Sequence, residues 1–260
     1  MIEMTPQEEF DAFLGRVLAD ARVLGVVLSG SRAREGMATA RSDFDVYVVS
    51  GDGTEGVAAE ARRDARLDVS VMPLAEFRTH ASPGSPTEWN RYAFTHAQVL
   101  KDATGGLITE LVAAKGRLSP SEAAAVAPAA LGAFLNAVYR CVKNAGNGDA
   151  TAARLDAAEA VPCHLTYVFA LHQRVRPYNK YLAWELDRHP LSHPEWSRPR
   201  LLGLLGEALS PAAAPAVRRL LADLEPHARS AGHGPVLDSW GDDLRLMLGG
   251  GAGEPATPPW

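Results

Sequence analysis

Apolar positions in the first hundred residues follow two periods. Phe10, Phe13, Leu14, Val17 and Leu18 recur at helical spacing within residues 5–20, a pattern that buries one face of a helix. Thr5 is placed to cap that helix, with Pro6 at its first position and Glu8 at its third. Apolar stretches at 23–29, 44–50 and 66–72 then read as strands, with a weaker one at 97–101. Residues 53–64, rich in Ala, Glu and Arg, read as a helix, and Pro83, Gly84 and Pro86 mark a loop over 81–90.

Beyond about residue 105 the strand pattern stops. Ala/Leu-rich segments at 105–116, 121–146, 149–174, 178–187, 199–209, 213–231 and 235–248 carry helical spacing, broken at Asn144–Gly148 and Pro190–Pro199. The pattern predicts an α+β chain. A mixed α/β domain spans 1–104, a helical bundle spans 105–248, and a Gly/Pro-rich tail, expected to be disordered, spans 249–260.

Composition adds bounds. The 260 residues are 47% hydrophobic and 22% charged, enough for a substantial core. A net charge of −5 argues against broad binding to nucleic-acid backbone but leaves room for one local basic pocket. Cys141 and Cys163 lie in apolar helical segments and read as buried thiols, not a disulfide framework. No signal peptide and no apolar run of about 20 residues is evident, so a cytoplasmic protein without a membrane partner is expected. The eight histidines show no metal-binding spacing such as His-Glu-x-x-His, and His164 and His172 read as structural.

The chemistry concentrates in residues 26–49. An apolar strand runs into Gly30-Ser31, and Ser42-Asp43-Phe44-Asp45 opens the next strand. Residues i and i+2 of a strand share a face, so Asp43 and Asp45 project together. Two such carboxylates repel unless a cation lies between them. Gly30 lets a ligand approach the backbone, Ser31 offers a hydroxyl, and a short helix after Ser31 would aim free N–H groups at a phosphate. Asp68 sits in the alternating strand Arg66–Met72. If that strand lies beside the Asp43–Asp45 strand, Asp68 completes a three-carboxylate site for metal or proton transfer.

This order of elements resembles the nucleotidyltransferase superfamily of the DNA polymerase β type: Gly30-Ser31, a spacer, Ser42-Asp43-Phe44-Asp45, then Asp68 on a neighbouring strand. The motif covers about residues 23–72. The two-part layout is similar to the small-molecule branch, including aminoglycoside and lincosamide nucleotidyltransferases. The resemblance implies that Asp43, Asp45 and Asp68 are catalytic and hold two Mg²⁺ ions. It also implies that Gly30, Ser31, Arg32 and Ser42 bind a nucleoside triphosphate such as ATP, and that a small hydroxylated acceptor accepts the nucleoside monophosphate.

The helical half supplies further candidates. Tyr139 and Lys143 share a helix face, and Lys143 could reach a triphosphate. Some members of the family use a helical-domain carboxylate as substrate ligand or base, which would fall to Glu159 here, with Asp156 three residues earlier. The run Arg176-Pro-Tyr-Asn-Lys180 brings together a cation, an amide and a ring. Lys180 would bind triphosphate, and Tyr178 and Asn179 substrate. Transfer to a protein or tRNA, or non-catalytic nucleotide sensing, are the alternatives.

Overall fold

The computed structural model describes residues 4–51 and 55–250, and the expected tail beyond Gly250 lies outside them. The chain divides between Leu118 and Ser119 into two compact units, so the helix over 107–115 belongs with the sheet rather than the bundle.

In the first unit, α1 (Pro6–Ala19) starts as its sequence dictates. Thr5 Oγ1 accepts from the Glu8 N–H, and Glu8 Oε2 accepts from the Thr5 N–H, at 3.2 and 2.8 Å. Two of the helix's otherwise unsatisfied donors are thereby paired. The chain continues through β1 (Val23–Ser29), β2 (Phe44–Ser50), the short α2 (Glu55–Ala58), β3 (Arg62–Arg63) and β4 (Leu67–Pro73). It ends with α3 (Leu74–Thr79), a 3₁₀ stretch Glu88–Phe94, β5 (Gln98–Asp102) and α4 (Leu107–Lys115). The helix expected over 53–64 shrinks to one turn. Residues 62–63 are extended because they pair antiparallel with β4, and residues 52–54 lie outside the described residues.

The five strands lie in the order β3-β4-β2-β1-β5. β2 and β4 run parallel, and the other neighbours are antiparallel. Alternation sends Phe44, Val46, Val48, Leu67 and Val69 to the face covered by Phe10, Phe13 and Val17 of α1. The Phe10 and Phe44 rings stack there at 4.0 Å. Val27, Val49 and Met72 face the opposite core with Phe77, Phe94, Ile108 and Val112. A Cβ on Gly25 would come within 2.9 Å of Ile108, so a bare backbone at that point of β1 admits α4. Each fully buried Phe, Leu or Val contributes about 1.5–3 kcal/mol relative to exposure, which fixes the sheet as the rigid platform.

The second unit holds α5 (Pro120–Gly146), α6 (Ala150–Leu171), α7 (Leu182–Arg188), α8 (Arg198–Ala208), α9 (Ala213–Ser230), α10 (Gly234–Asp238) and α11 (Asp242–Leu248). α5 and α6 pack along each other, and α9 packs on both. The segment expected as one helix over 235–248 is two, divided at Gly241, whose φ is +52°. The helix expected from 178 begins as a 3₁₀ turn at Asn179. Among the described residues one helix, α5, is long and apolar enough by length and composition to cross a membrane, against the sequence expectation of none. Its apolar window is 44% buried, and the helix also carries Arg140 and Lys143.

Candidate functional site

The sheet brings together what the sequence separates. Ser29 pairs with Asp45 across β1 and β2, and Asp45 pairs with Asp68 across β2 and β4. Ser29, Asp45 and Asp68 thus form one row across three strands at the end of β1. Asp43 immediately precedes β2, two residues before Asp45. All three aspartates are half-buried. The expectation that the Asp68 strand lies beside the Asp43–Asp45 strand holds, and the register puts Asp68 directly next to Asp45.

Gly30 completes this end of the row. Its φ is +65°, and a Cβ there would lie 1.7 Å from Asp45 Oδ2. The Asp45 carboxylate therefore rests against the bare backbone of the turn. Ser31 is 1% exposed, and its hydroxyl has no hydrogen-bond partner among the described residues. No helix starts directly after Ser31. Residues 30–37 are successive turns, with the Arg34 N–H bonded to the Ser31 carbonyl at 3.2 Å. The loop closes back on itself to reach β2 and has no room to extend a helical ladder.

Arginines hold that loop. Arg32 Nε and Nη2 donate to the Ser42 carbonyl at 3.2 and 2.9 Å, with the guanidinium over the Phe44 ring. The Ser42 hydroxyl in turn accepts from the Thr39 N–H at 2.9 Å. Arg32 and Ser42, both expected at the nucleotide, are thus braces between the Gly30 turn and the Asp43 end of β2. Arg34, 2% exposed, donates to the Gly30 carbonyl at 2.6 Å and to the Tyr92 carbonyl at 3.0 Å. Burying a guanidinium is costly unless such bonds replace water. Gln98 adds a bond to the Ala33 carbonyl at 3.1 Å. Arg34 escaped the sequence reading, because an arginine in a polar loop carries no signal that distinguishes a buried staple from a solvated side chain.

The electrostatics follow from the same face. Burial pushes the Tyr47 hydroxyl up to about 12, against the lowering effect of its Asn90 partner, and the nearby charges of Asp45 and Asp68 add to the rise. Asn90 Nδ2 donates to Tyr47 Oη at 2.7 Å. Asp68 Oδ2 lies 3.5 Å from Nε of Arg63, a residue 88% exposed. The three carboxylates do not form a group with all ligand atoms within 4.8 Å. Asp45 is seated on Gly30 while Asp68 leans toward Arg63.

The remaining candidates lie in the second unit. Exposed Lys143 donates to Tyr139 Oη at 3.2 Å and lies 5.0 Å from that ring's centre. The Tyr139 ring also packs on Trp240. Glu159 is exposed at 64% and paired with Arg140, whereas Asp156 is the buried carboxylate. Asp156 is bonded to Asn144 at 2.7 Å and to Arg140 at 3.2 Å. Asn179 accepts from Arg176 at 3.0 Å, Lys180 is exposed over the Tyr181 ring, and Tyr178 contacts Tyr181.

The sequence reading also missed a cluster of His193, Glu195 and His227. His193 and His227 lie on different elements, so no local spacing could reveal them. His164 and His172 are structural as expected: His164 is fully buried and His172 is bonded to the Val168 carbonyl. Trp89 is 71% exposed, while its neighbours Tyr92 and Phe94 are buried.

A scan against protein-family models and a search of curated proteins found no match to this chain.

Proposed function

We propose that this protein is a Mg²⁺-dependent nucleotidyltransferase that moves a nucleoside monophosphate from a triphosphate, ATP in the first instance, to a hydroxyl of a small molecule. The observation that carries the reading is the seat of Asp45: its carboxylate rests on a left-handed glycine, in register with Asp68, beside a buried serine hydroxyl that has no partner among the described residues. An all-oxygen donor set suits Mg²⁺.

Asp43 and Asp45 would hold the metal, and Asp68 would join a second ion or serve as base. Bound there, Mg²⁺ would neutralise charge on the attacking and leaving oxygens. The chain's residues perform the rest. The Gly30-Ser31 turn would receive phosphate oxygens, with Arg32 and Arg34 fixing the turn so that little ordering is left to the ligand. The acceptor oxygen bonds to the α-phosphorus, the α–β bridging P–O bond breaks, and pyrophosphate leaves. The hydroxyl proton passes to Asp68, which then needs to give up Arg63. That contact is exposed and worth less than about 1 kcal/mol, so it is easily exchanged.

Calorimetric titration with ATP and Mg²⁺, followed by pyrophosphate release against hydroxylated acceptors including aminoglycosides, tests the reading. Turnover should fall to background in Asp43→Asn and Asp45→Asn while the melting temperature stays near wild type. Near-normal turnover in either variant refutes the metal assignment, and ATP binding without turnover on any acceptor points to a sensor.

A further inference from the structure

The helical half carries a constellation that the carboxylate row does not use. His193 caps the 3₁₀ turn Pro194–Trp196, Glu195 lies inside that turn, and His227 sits in the last turn of α9. One ligand atom from each, two imidazole nitrogens and a carboxylate oxygen, all lie within 4.8 Å of one another. Nε2 of His227 is 3.5 Å from Oε2 of Glu195. That oxygen is buried yet makes no hydrogen bond among the described residues. The pair has the spacing of an ion pair without the alignment of a hydrogen bond. The imidazoles of His193 and His227 lie 4.0 Å apart between centroids.

Two imidazoles and a carboxylate converging on one point are the ligand set of a zinc-class ion. Donors held at about 2.0–2.1 Å from a tetrahedral ion lie about 3.3 Å from one another. The His227–Glu195 pair is near that spacing already, and the other distances, all within 4.8 Å, close by side-chain rotation on binding.

The surroundings fix the ligands. Trp196, 1% exposed, packs against both rings, at 5.0 Å from His193 and 4.7 Å from His227. His172 Nδ1 donates to the Val168 carbonyl at 2.8 Å, and its Nε2 accepts from the Ser192 N–H at 3.2 Å. Those two bonds assign its tautomer, exclude it as a ligand and anchor the residue before His193. A cavity of about 270 Å³ adjoins the cluster, lined in part by Ser192, His193, His227 and Ser230.

We propose that His193, Glu195 and His227 bind one zinc-class divalent ion, whose fourth position faces this cavity and takes water or a small anionic ligand. The ion ties the segment after α7 to the end of α9. This site shares no residue with the carboxylate row, so it stands or falls apart from the transfer reaction.

Cobalt(II) is the probe, titrated into chelator-stripped full-length protein carrying Asp45→Asn, so that the carboxylate row contributes little. One equivalent should produce intense visible bands of tetrahedral coordination, bleached by Zn²⁺, together with a rise in melting temperature. Loss of a ligand in His227→Asn should weaken cobalt binding by at least about 100-fold, and Glu195→Gln by at least about tenfold. Absence of the bands at millimolar cobalt in folded protein overturns the proposal. So does their persistence in a folded His193→Asn/His227→Asn double variant. Should His227→Asn fail to fold, the parent titration and the near-isosteric Glu195→Gln still decide.

Discussion

Replacing Gly30 by alanine probes the seat of Asp45 with one methyl group. Two costs are separable. The first is conformational: at φ +65° a non-glycine residue costs about 1–2 kcal/mol. The second is steric. The new Cβ would lie 1.7 Å from Asp45 Oδ2 and 2.6 Å from its Cγ, whereas non-bonded heavy atoms rest at about 3.5 Å. The carboxylate must therefore move by roughly 1.5–2 Å. A shift of about 1 Å in a catalytic group costs about 100-fold in rate, so Gly30→Ala should lose at least that factor in kcat/KM, about 3 kcal/mol of barrier. Gly84 is the control. Its φ is +72°, and a Cβ there meets nothing within 4 Å. Gly84→Ala should lose a comparable conformational increment of stability and keep full turnover. Pyrophosphate release gives the rate and thermal unfolding gives the stability. Should Gly30→Ala match Gly84→Ala in turnover, Asp45 does not work from the seat described.

Arg63→Ala should barely change stability, since Arg63 is 88% exposed and such pairs contribute less than about 1 kcal/mol. It should lower the Mg²⁺ concentration for half-maximal turnover by up to about fivefold, because Asp68 is freed. An unchanged Mg²⁺ dependence would remove Asp68 from the metal. His164 tests a different point. Both its ring nitrogens are buried without partners, and burial holds the imidazole down to about 3. The unfolded chain binds that proton below about pH 6.5 and the folded chain does not, so stability falls as pH drops from 6.5 toward 3. At pH 5 the loss is about 2 kcal/mol. Urea midpoints at pH 7 and pH 5 should differ less for His164→Leu than for the parent, and equal differences would exclude His164 as the source.

The elements of the first unit were legible wherever a local rule decides. The Thr5-Pro6-Glu8 cap marks α1, and unbroken apolar runs mark β1, β2 and β4. Strand alternation predicts that Asp43 and Asp45 project together, but β2 begins at Phe44 and leaves Asp43 outside the strand. What decides the site is non-local. That Asp68 stands beside Asp45, and not one residue away on the other face, depends on the parallel register of β2 and β4, which their sequences do not encode separately. The strand at Arg62–Arg63 was hidden for the same reason, since two arginines become extended only by pairing with Val69 and Asp68. The sequence leaves open a helix start after Ser31, because Gly-Ser followed by polar residues fits both a turn and a helix, and the staples of Arg32 and Arg34 accompany the turn. His193 and His227 meet only through the packing of α9.

The sheet's outer boundary beyond β4 also bears on the protein's behaviour in a crowded solution. An unpaired strand edge is a template for another chain. Here that edge is β3, two residues long, both arginine and both exposed. A second copy approaching β3 meets two exposed arginines, each paired with carboxylates, on a strand that covers only Asp68 and Val69 of β4. Arg63, which leans on Asp68, thus also belongs to the short charged strand that discourages edge-to-edge association.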